Sequence, residues 1–400
     1  MADPRTLPRP LSSAGAIVAD SGPSLGLPLH YGWPADEQER FERGLGFAYL
    51  GEIGVVTVAG PDRLSWLTTL SSQILSDLQP GQSREVLLLD PQGRVTFQFG
   101  ALDDGAKTWL LTERQFSEDL AQFLKSMQFM LRVEVEDESA GFRGVLTSSQ
   151  SEEAARVTAS ALADLGGRTW ADPWPEVTPG GARYFTGVHP GEHVQFRVYV
   201  CPVGNVDSFV GLLLSGAVSD EGATLPPLTP VGSLAAEATR VAAWRPLRGS
   251  EVDERTMPSE LDWLRTAVHL EKGCYCGQES VARIVNLGKP PRRLVFLQLD
   301  GSGEALPEPG AAVEYGGRQV GVITSVARHW EMGPIALALV KRNLDPTAAV
   351  MAGGVDAVQE LIVPVEGRSD HSPAERPGAG LKKLDEGKRD IRTRGPGAGG

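Results

Sequence analysis

The pattern of apolar and polar residues in the first third of the chain predicts short strands separated by amphipathic helices. Strand-like apolar runs occupy residues 53–58, 86–89, 95–99, 109–111 and 132–135. Apolar residues at helical spacing predict one helix after Gly60-Pro-Asp62 and another over residues 116–130. The sequence Asp90-Pro-Gln-Gly93 is typical of the turn in a hairpin. This order of elements indicates an α+β domain.

A second set of elements follows the first. Residues 146–165 read as a strand and an Ala-rich helix, and further strands are predicted at residues 186–188 and 194–200. Residues 235–243 have helical character. The sequence Ser259-Glu-Leu-Asp262 predicts a capping box ahead of an apolar helix that continues through Val268.

Beyond Pro290-Pro291 the pattern becomes uniformly β-rich. Short apolar runs at residues 294–299, 312–315, 319–326 and 335–340 are separated by turns rich in Gly and Pro. Evenly spaced short strands of this kind predict a small antiparallel barrel. We therefore place a domain boundary near Lys289.

The two ends of the chain differ in composition from the body. Residues 1–40 are rich in Pro, Gly, Ser and Ala without a period and predict a flexible arm, while residues 367–400 are charged and poor in large apolar side chains, which predicts disorder. The predicted domains are residues 41–140, 141–289 and 290–366.

Charge and cysteine content exclude several classes of protein. A net charge of −13 argues against a general nucleic-acid binder, which needs a basic face. Three cysteines are too few for a disulfide framework, and no apolar run approaches the roughly 18 residues of a membrane-spanning helix. The prediction is a cytoplasmic protein that binds neither nucleic acid nor membrane directly.

The segment from Lys272 to Arg283, here called the thiol segment, carries most of the functional information. It reads Lys-Gly-Cys-Tyr-Cys-Gly-Gln-Glu-Ser-Val-Ala-Arg. Glycines on either side of the two cysteines permit tight turns or close approach to a ligand. A nearby cation such as Lys272 lowers the pKa of a thiol and favours the nucleophilic, metal-binding thiolate. These surroundings are poor core material, which favours chemistry at Cys274 over a structural role.

The thiol segment resembles the characteristic motif of the YgfZ-type folate-binding protein family, which is related to the T-protein (aminomethyltransferase) of the glycine cleavage system. Further similarity lies in Gly60-Pro-Asp-Arg63, Leu89-Asp-Pro-Gln-Gly-Arg94, Arg245-Pro-Leu-Arg-Gly249 and Gln319-Val-Gly-Val-Ile-Thr-Ser325. The resemblance covers roughly residues 45–364, and its pieces occur in the family's order.

The resemblance implies a fold and a role. The fold is a three-domain α+β cloverleaf ring around a central channel, with an antiparallel β-barrel as the last domain. The role is that of an accessory factor that binds tetrahydrofolate or a related folate and supports iron–sulfur cluster assembly or repair in client enzymes, tRNA-modifying enzymes among them. Its partners would be iron–sulfur client or carrier proteins, and a transient iron–sulfur cluster would be its cargo.

Site residues follow from the same resemblance. Cys274 and Lys272 would carry the chemistry. The expected ligand contacts are Tyr275, Gly277, Gln278, Glu279, Arg283 and Arg240. Cys276 occupies a variable position of the family motif, and together with Cys274 it could share a metal ion or a cluster edge, since soft thiolates suit iron–sulfur clusters and zinc. Two ligands do not complete such a site, and the favoured interpretation of Cys276 is an ordinary small apolar residue.

Two departures from the related transferases bear on the activity. Their acidic pair, which follows a glycine-rich turn, falls near Phe97 and Gln98 in this chain, and neither residue can act as a carboxylate acid or base. The glutamate that contacts the pterin in the folate enzymes is replaced by Ala242. A folate-dependent aminomethyltransferase is therefore the alternative hypothesis, and a protein-binding scaffold with an incidental thiol is the second alternative.

Overall fold

A computed structural model describes residues 7–20, 25–303 and 305–374. Within these ranges the α-helices are α1 (Arg9–Ser12), α2 (Pro34–Glu42), α3 (Arg63–Leu70), α4 (Ser117–Ser126), α5 (Glu152–Asp164), α6 (Val206–Ser215), α7 (Ser233–Ala242), α8 (Arg248–Glu251) and α9 (Gln278–Leu287). None of these helices has the length and apolarity that crossing a bilayer requires.

The strands of the same ranges are β1 (Ile17–Val18), β2 (Pro28–His30), β3 (Gly46–Gly51), β4 (Gly54–Ala59), β5 (Ser83–Leu89), β6 (Val95–Asp103), β7 (Lys107–Thr112), β8 (Glu134–Asp137), β9 (Phe142–Ser148), β10 (Arg168–Ala171), β11 (Phe196–Pro202), β12 (Ala217–Val218), β13 (Thr224–Leu225), β14 (Thr229–Val231), β15 (Arg292–Leu299), β16 (Ala312–Tyr315), β17 (Arg318–His329), β18 (Gly333–Lys341), β19 (Val350–Ala352) and β20 (Val355–Leu361).

Three larger sheets organise these strands. The first has the order β5-β6-β7-β4-β8 with every pair antiparallel, and the second has the order β10-β11-β9-β3-β14, in which β14 runs parallel to β3. The third is a closed antiparallel barrel in the order β15-β18-β17-β16-β19-β20. The predicted α+β class and the predicted C-terminal barrel are confirmed.

The first two sheets pack against each other through one apolar layer. The first sheet contributes Val55 and Trp109, and the second contributes Trp170 and Val200. Because β4 and β7 are covered on both faces, their residues are buried almost continuously, as the uninterrupted apolar runs in the sequence suggest. A second apolar cluster joins the first sheet, through Leu87, and the barrel, through Phe296, to the segment after α7, through Trp244. The first sheet, the barrel and this segment therefore share a core.

A buried arginine joins the first two sheets electrostatically. The Arg245 guanidinium lies 2.7 Å from a carboxylate oxygen of Glu85 on β5 and 2.8 Å from one of Asp172, which follows β10. It also lies over the Trp174 ring, at 4.9 Å from the centroid. Burial raises the pKa of Asp172 to about 6, although the charge of Arg245 opposes that rise. Thr266 completes the cluster by donating a hydrogen bond to Glu85.

The N-terminal stretch differs from the predicted flexible arm. Helix α2 lies within it and packs on α7, with Phe41 fully buried at the end of the helix. Glu42 accepts hydrogen bonds from His329 (3.0 Å) and from Trp330 (2.8 Å), and these bonds attach α2 to the barrel. Composition was misleading here because Pro34 occupies the first turn of α2, where proline begins a helix instead of breaking it. Residues 1–6 and 21–24 lie outside the described residues.

Other elements also differ from the sequence predictions. Helix α4 ends at Ser126 instead of residue 130, and residues 186–188 do not form a strand. The predicted apolar helix after Ser259 is absent: a 3₁₀ turn at Pro258–Glu260 is followed by turns as far as Ala267. Asp262 adopts a left-handed conformation (φ 59°), which ends helical geometry at that point. The backbone of this segment instead bonds to residues 178–182, as in the bond from Ala182 N to Leu264 O at 2.8 Å.

Two of the predicted residue ranges, those of the first domain and of the disordered tail, agree with the structure only in part. Strand β3 lies in the range predicted for the first domain but pairs within the second sheet. In the range predicted to be disordered, Ser372 donates a 2.7 Å hydrogen bond to the carbonyl of Val285 in α9, and Asp370 accepts one of 2.8 Å from Arg183 N. Residues 375–400 of that range lie outside the described residues.

Replacing Arg245 tests the electrostatic link between the sheets. We expect Arg245→Met to lower the free energy of unfolding by about 3–5 kcal/mol at pH 7.5, because two buried carboxylates lose their counter-ion. Urea denaturation measures the loss, and Arg94→Met, at an exposed arginine, is the matched control. The deficit should shrink at pH 5, since protonation of Asp172 removes one of the uncompensated charges. A deficit that is equal at both pH values would contradict this account.

Candidate functional site

The thiol segment crosses from a buried turn to the start of α9. Gln278 N donates to Tyr275 O at 3.3 Å, and Gly277 has φ 79° and ψ 0°. These values describe a type II turn with Cys276 and Gly277 at its two central positions. Because the second of these positions requires a positive φ, glycine is favoured there over any residue with a side chain. Gly277 is also the N-cap residue of α9.

Gly277 is in close contact with the hairpin turn between β5 and β6. A Cβ atom on Gly277 would lie 2.5 Å from the carbonyl oxygen of Asp90 and 2.7 Å from Cα of Gly93. On the other side, a Cβ atom on Gly93 would lie 2.8 Å from Cβ of Ser280. Two glycine motifs that are far apart in the sequence thus meet backbone to backbone. This contact fixes the thiol segment against the first sheet.

Lys272 holds the other end of the thiol segment. Its side chain is buried, and its ammonium donates hydrogen bonds to the carbonyls of Thr68 and Ser71 at the C-terminal end of α3. A positive charge at this end of a helix satisfies free carbonyls and interacts favourably with the helix dipole. Burial lowers the pKa of Lys272 to about 8. Lys272, which the sequence predicts to take part in the chemistry, therefore links the thiol segment to the first domain.

Between these two anchors, one side chain turns inward and two turn outward. Tyr275 is half-buried against the shared apolar core, and its ring centroid lies 4.9 Å from Nζ of Lys272. Cys274 and Cys276 are both exposed free thiols. Partial burial and the negative charge of Asp90 raise the pKa of Cys276. The segment thus presents two sulfur atoms to solvent from a fixed backbone.

The remaining predicted ligand contacts do not form one cluster. Gln278 stays close to the thiols, since its side chain donates to the carbonyl of Lys272 at 3.2 Å. Glu279 and Arg283 are exposed on α9. Arg240 lies elsewhere, in a buried network.

The Arg240 guanidinium is engaged by neighbouring side chains. The guanidinium pairs with Glu237 (2.9 Å) and Glu251 (3.1 Å), and it also donates to Ser325 of the barrel. These contacts join α7, α8 and β17. In this structure Arg240 serves as a link between elements.

A cleft of about 400 Å³ adjoins the thiol segment. Its lining comes from the β5–β6 turn, β6, α8 and the loops beside them: Asp90, Arg94, Val95, Thr96, Phe116, Arg248, Gly249, Val252, Asp253 and Glu254. Asp90 connects the two features, because it lines the cleft and its charge acts on the Cys276 thiol. The cleft and the thiols together form the candidate site.

Arg248 and Phe116 give the cleft its chemical character. The guanidinium carbon lies 3.6 Å from the Phe116 ring centroid, and Nε donates a 2.8 Å hydrogen bond to the carbonyl of Thr96. The stacked guanidinium and the aromatic ring suit a ligand with a flat ring and a negative group. Sequence reasoning did not assign these residues to the site, although Leu89–Arg94 and Arg245–Gly249 were both recognised as family-like stretches.

The positions of the transferase acidic pair are occupied by buried, uncharged side chains. Phe97 and Gln98 are both buried, and the Gln98 amide donates a 3.0 Å hydrogen bond to Glu85. Glu85 is in turn engaged by Arg245. The carboxylate of Glu85, which accepts the hydrogen bond from Gln98, is therefore already paired with Arg245.

A complete metal site is not formed by the described part of the chain. Within it, no three His, Cys, Asp or Glu side chains lie close enough together to hold an ion. Cys274 and Cys276 can supply two sulfur ligands at most.

Comparisons with known proteins agree with the fold. Residues 292–369 match the glycine cleavage T-protein C-terminal barrel domain. The chain is 26% identical to an aminomethyltransferase of Streptomyces coelicolor over 362 residues, which cover 87% of this chain and 89% of that protein. It is 28% identical to an aminomethyltransferase of Thermus thermophilus over 316 residues, 78% and 83% of the two chains. The chain is thus similar to aminomethyltransferases along most of its length.

The same fold occurs in a solved T-protein. The crystal structure of the glycine cleavage system aminomethyltransferase T from Bartonella henselae superposes with a TM-score of 0.66 at 20% identity, covering 91% of this chain and 98% of that chain. This similarity concerns the fold alone. The narrower YgfZ-type assignment, suggested by the thiol segment, stays a prediction.

Two glycines of the thiol segment allow a matched test of its contact with the hairpin. We expect Gly277→Ala to lower the free energy of unfolding by about 1–3 kcal/mol, because alanine is strained at φ 79° and its Cβ would collide with Asp90. Gly273→Ala is the control, since nothing lies within 4 Å of a Cβ added there. Urea denaturation compares the two variants, and equal stability would show that the contact does not constrain the segment.

Proposed function

We propose that this chain is a folate-binding accessory factor that supports the assembly or repair of iron–sulfur clusters in client enzymes, with the Cys274 thiol as its working group. The observation that carries the proposal is an exposed thiol held on a rigid backbone beside a cleft. In that arrangement the thiol meets a partner protein, while the cleft holds a small molecule. Client enzymes would include those that modify tRNA.

Folate binding is proposed for the cleft. The resemblance to the folate-binding family and to the relatives named aminomethyltransferase favours a folate as the ligand. A cleft volume of about 400 Å³ falls within the range of small-molecule sites. A folate combines flat rings with a glutamate tail that carries carboxylates. The Phe116 ring suits the first feature, and the Arg248 guanidinium suits the second by charge-assisted hydrogen bonding. Ala242 removes a carboxylate from the family pattern, so Arg248 would have to supply a larger share of the affinity.

Aminomethyl transfer is the second candidate, favoured by the names of the relatives. It needs a carboxylate that acts on the reacting amine. Phe97 and Gln98 cannot supply one, which weighs against it. Three other carboxylates line the cleft: Asp90, Asp253 and Glu254. Asp253 is paired with Arg292, so Asp90 or Glu254 would have to take that role. We therefore rank this activity below the accessory role.

Calorimetric titration with tetrahydrofolate tests the ligand. We expect binding in the micromolar range, and we expect Arg248→Met to weaken it by about tenfold or more, since a charged hydrogen bond contributes roughly 1.5–3 kcal/mol. Arg318→Met, at an exposed arginine on barrel strand β17, is the matched control. No heat of binding from the wild-type chain would contradict the folate part of the proposal.

Complementation tests the accessory role. In cells that lack this chain, we expect Cys274→Ser to fail to restore the activity of iron–sulfur enzymes, while its circular dichroism and urea midpoint stay at wild-type values because Cys274 is exposed. The readout is the activity of an iron–sulfur enzyme beside that of a cluster-free enzyme. Full client activity in the variant would exclude a working role for the thiol. Tetrahydrofolate-dependent turnover of an aminomethyl donor would instead support the second candidate.

A further inference from the structure

The two exposed cysteines of the thiol segment are arranged as a pair. Only Tyr275 separates Cys274 from Cys276, so their Cα atoms lie at most about 7 Å apart. Tyr275 points into the protein, where its ring contacts the core and lies close to Lys272. Its two neighbours are both exposed free cysteines. Two accessible thiols with a single residue between them are near enough to bind one ion.

The backbone that carries the pair is held at both ends. On one side the Lys272 ammonium is bound by the carbonyls at the end of α3. On the other side the type II turn places Gly277 against Asp90 and Gly93. The two anchors lie close together in the sequence, with both cysteines between them. A pair of donors held in this way loses less conformational entropy on binding than a pair in a flexible loop.

The chemistry of the donors selects the class of ligand. Thiolates are soft ligands that favour Cu(I), zinc and iron–sulfur clusters. A structural zinc site needs four ligands, whereas the described residues bring no third His, Cys, Asp or Glu side chain into range. Cu(I), a soft cation without a demand for four ligands, forms stable complexes with two thiolates. Two sulfur atoms from one chain therefore match Cu(I) better than zinc.

We propose that Cys274 and Cys276 form an open two-thiolate chelate that binds one soft monovalent metal ion, of the Cu(I) class, per chain. Binding replaces two S–H bonds by two sulfur–metal bonds and releases two protons, with no change in oxidation state. The site goes beyond the proposed function, which uses Cys274 without Cys276 and does not require a resident ion.

An anaerobic competition titration tests the chelate. The full chain is reduced, freed of metal and titrated with Cu(I) in the presence of bathocuproine disulfonate, whose Cu(I) complex is coloured. We expect the protein to withhold one Cu(I) per chain from the indicator. Cys274→Ser and Cys276→Ser should each weaken binding at least about tenfold, because each leaves one thiolate.

The third cysteine supplies the matched control. Cys201 is fully buried and its burial raises the pKa of the thiol to about 12, so Cys201→Ala should bind Cu(I) as the wild type does. Circular dichroism of each variant verifies that the fold is kept.

Several outcomes would contradict the proposed two-thiolate site. These are a wild-type chain that withholds no Cu(I), an affinity that depends on Cys274 alone, and a stoichiometry of one ion per two chains, which would mean that two copies share the ion. The readout is independent of client enzymes and of folate. Failure of the chelate and failure of the proposed function can therefore be told apart.

Discussion

The buried ion pair of Arg245 with Glu85 and Asp172 is the interaction on which the arrangement of the first two sheets depends. An apolar layer can hold two sheets together over a range of relative positions, because dispersion and hydrophobic burial are not directional. A guanidinium placed between two carboxylates has a defined geometry and a high energetic cost when one partner is missing. The pair therefore fixes the position of β5, and with it the position of the hairpin turn that supports the thiol segment.

The candidate site is built from short contacts between distant parts of the chain. The hairpin turn belongs to the first sheet, the Lys272 acceptors belong to the end of α3, and the thiols belong to the connection that leads into α9. Few of these contacts involve long flexible side chains on the surface. The backbone of Gly93 packs directly against that of Gly277, and the buried ammonium of Lys272 is held by main-chain carbonyls. These two contacts leave the thiols little freedom of position. Rigidity of this kind suits a group that must meet a partner or a ligand in one orientation.

Sequence reasoning succeeded where the signal was local. Apolar runs and the Asp90–Gly93 turn predicted the hairpin, and the evenly spaced strands after Pro291 predicted the barrel. It failed where tertiary contacts override local preference. Asp262 is left-handed and its neighbours bond to residues 178–182, so an apolar stretch with helical spacing is not a helix. In the site, the thiol segment was visible as a motif, whereas the cleft was not. Phe116 and Arg248 have no periodicity or spacing that connects them, and only the fold brings them together.

The meeting of Gly93 and Gly277 has a consequence for the order of events during synthesis. More than 180 residues separate the two glycines, and contacts of such long range form late because a large loop must first be closed. While the first sheet is leaving the ribosome, the thiol segment has not yet been made. The two cysteines emerge before α9 and the barrel, and they reach their fixed positions only when the hairpin turn receives them. A nascent chain therefore has no organised thiol site, and the site is completed together with the docking of the first domain.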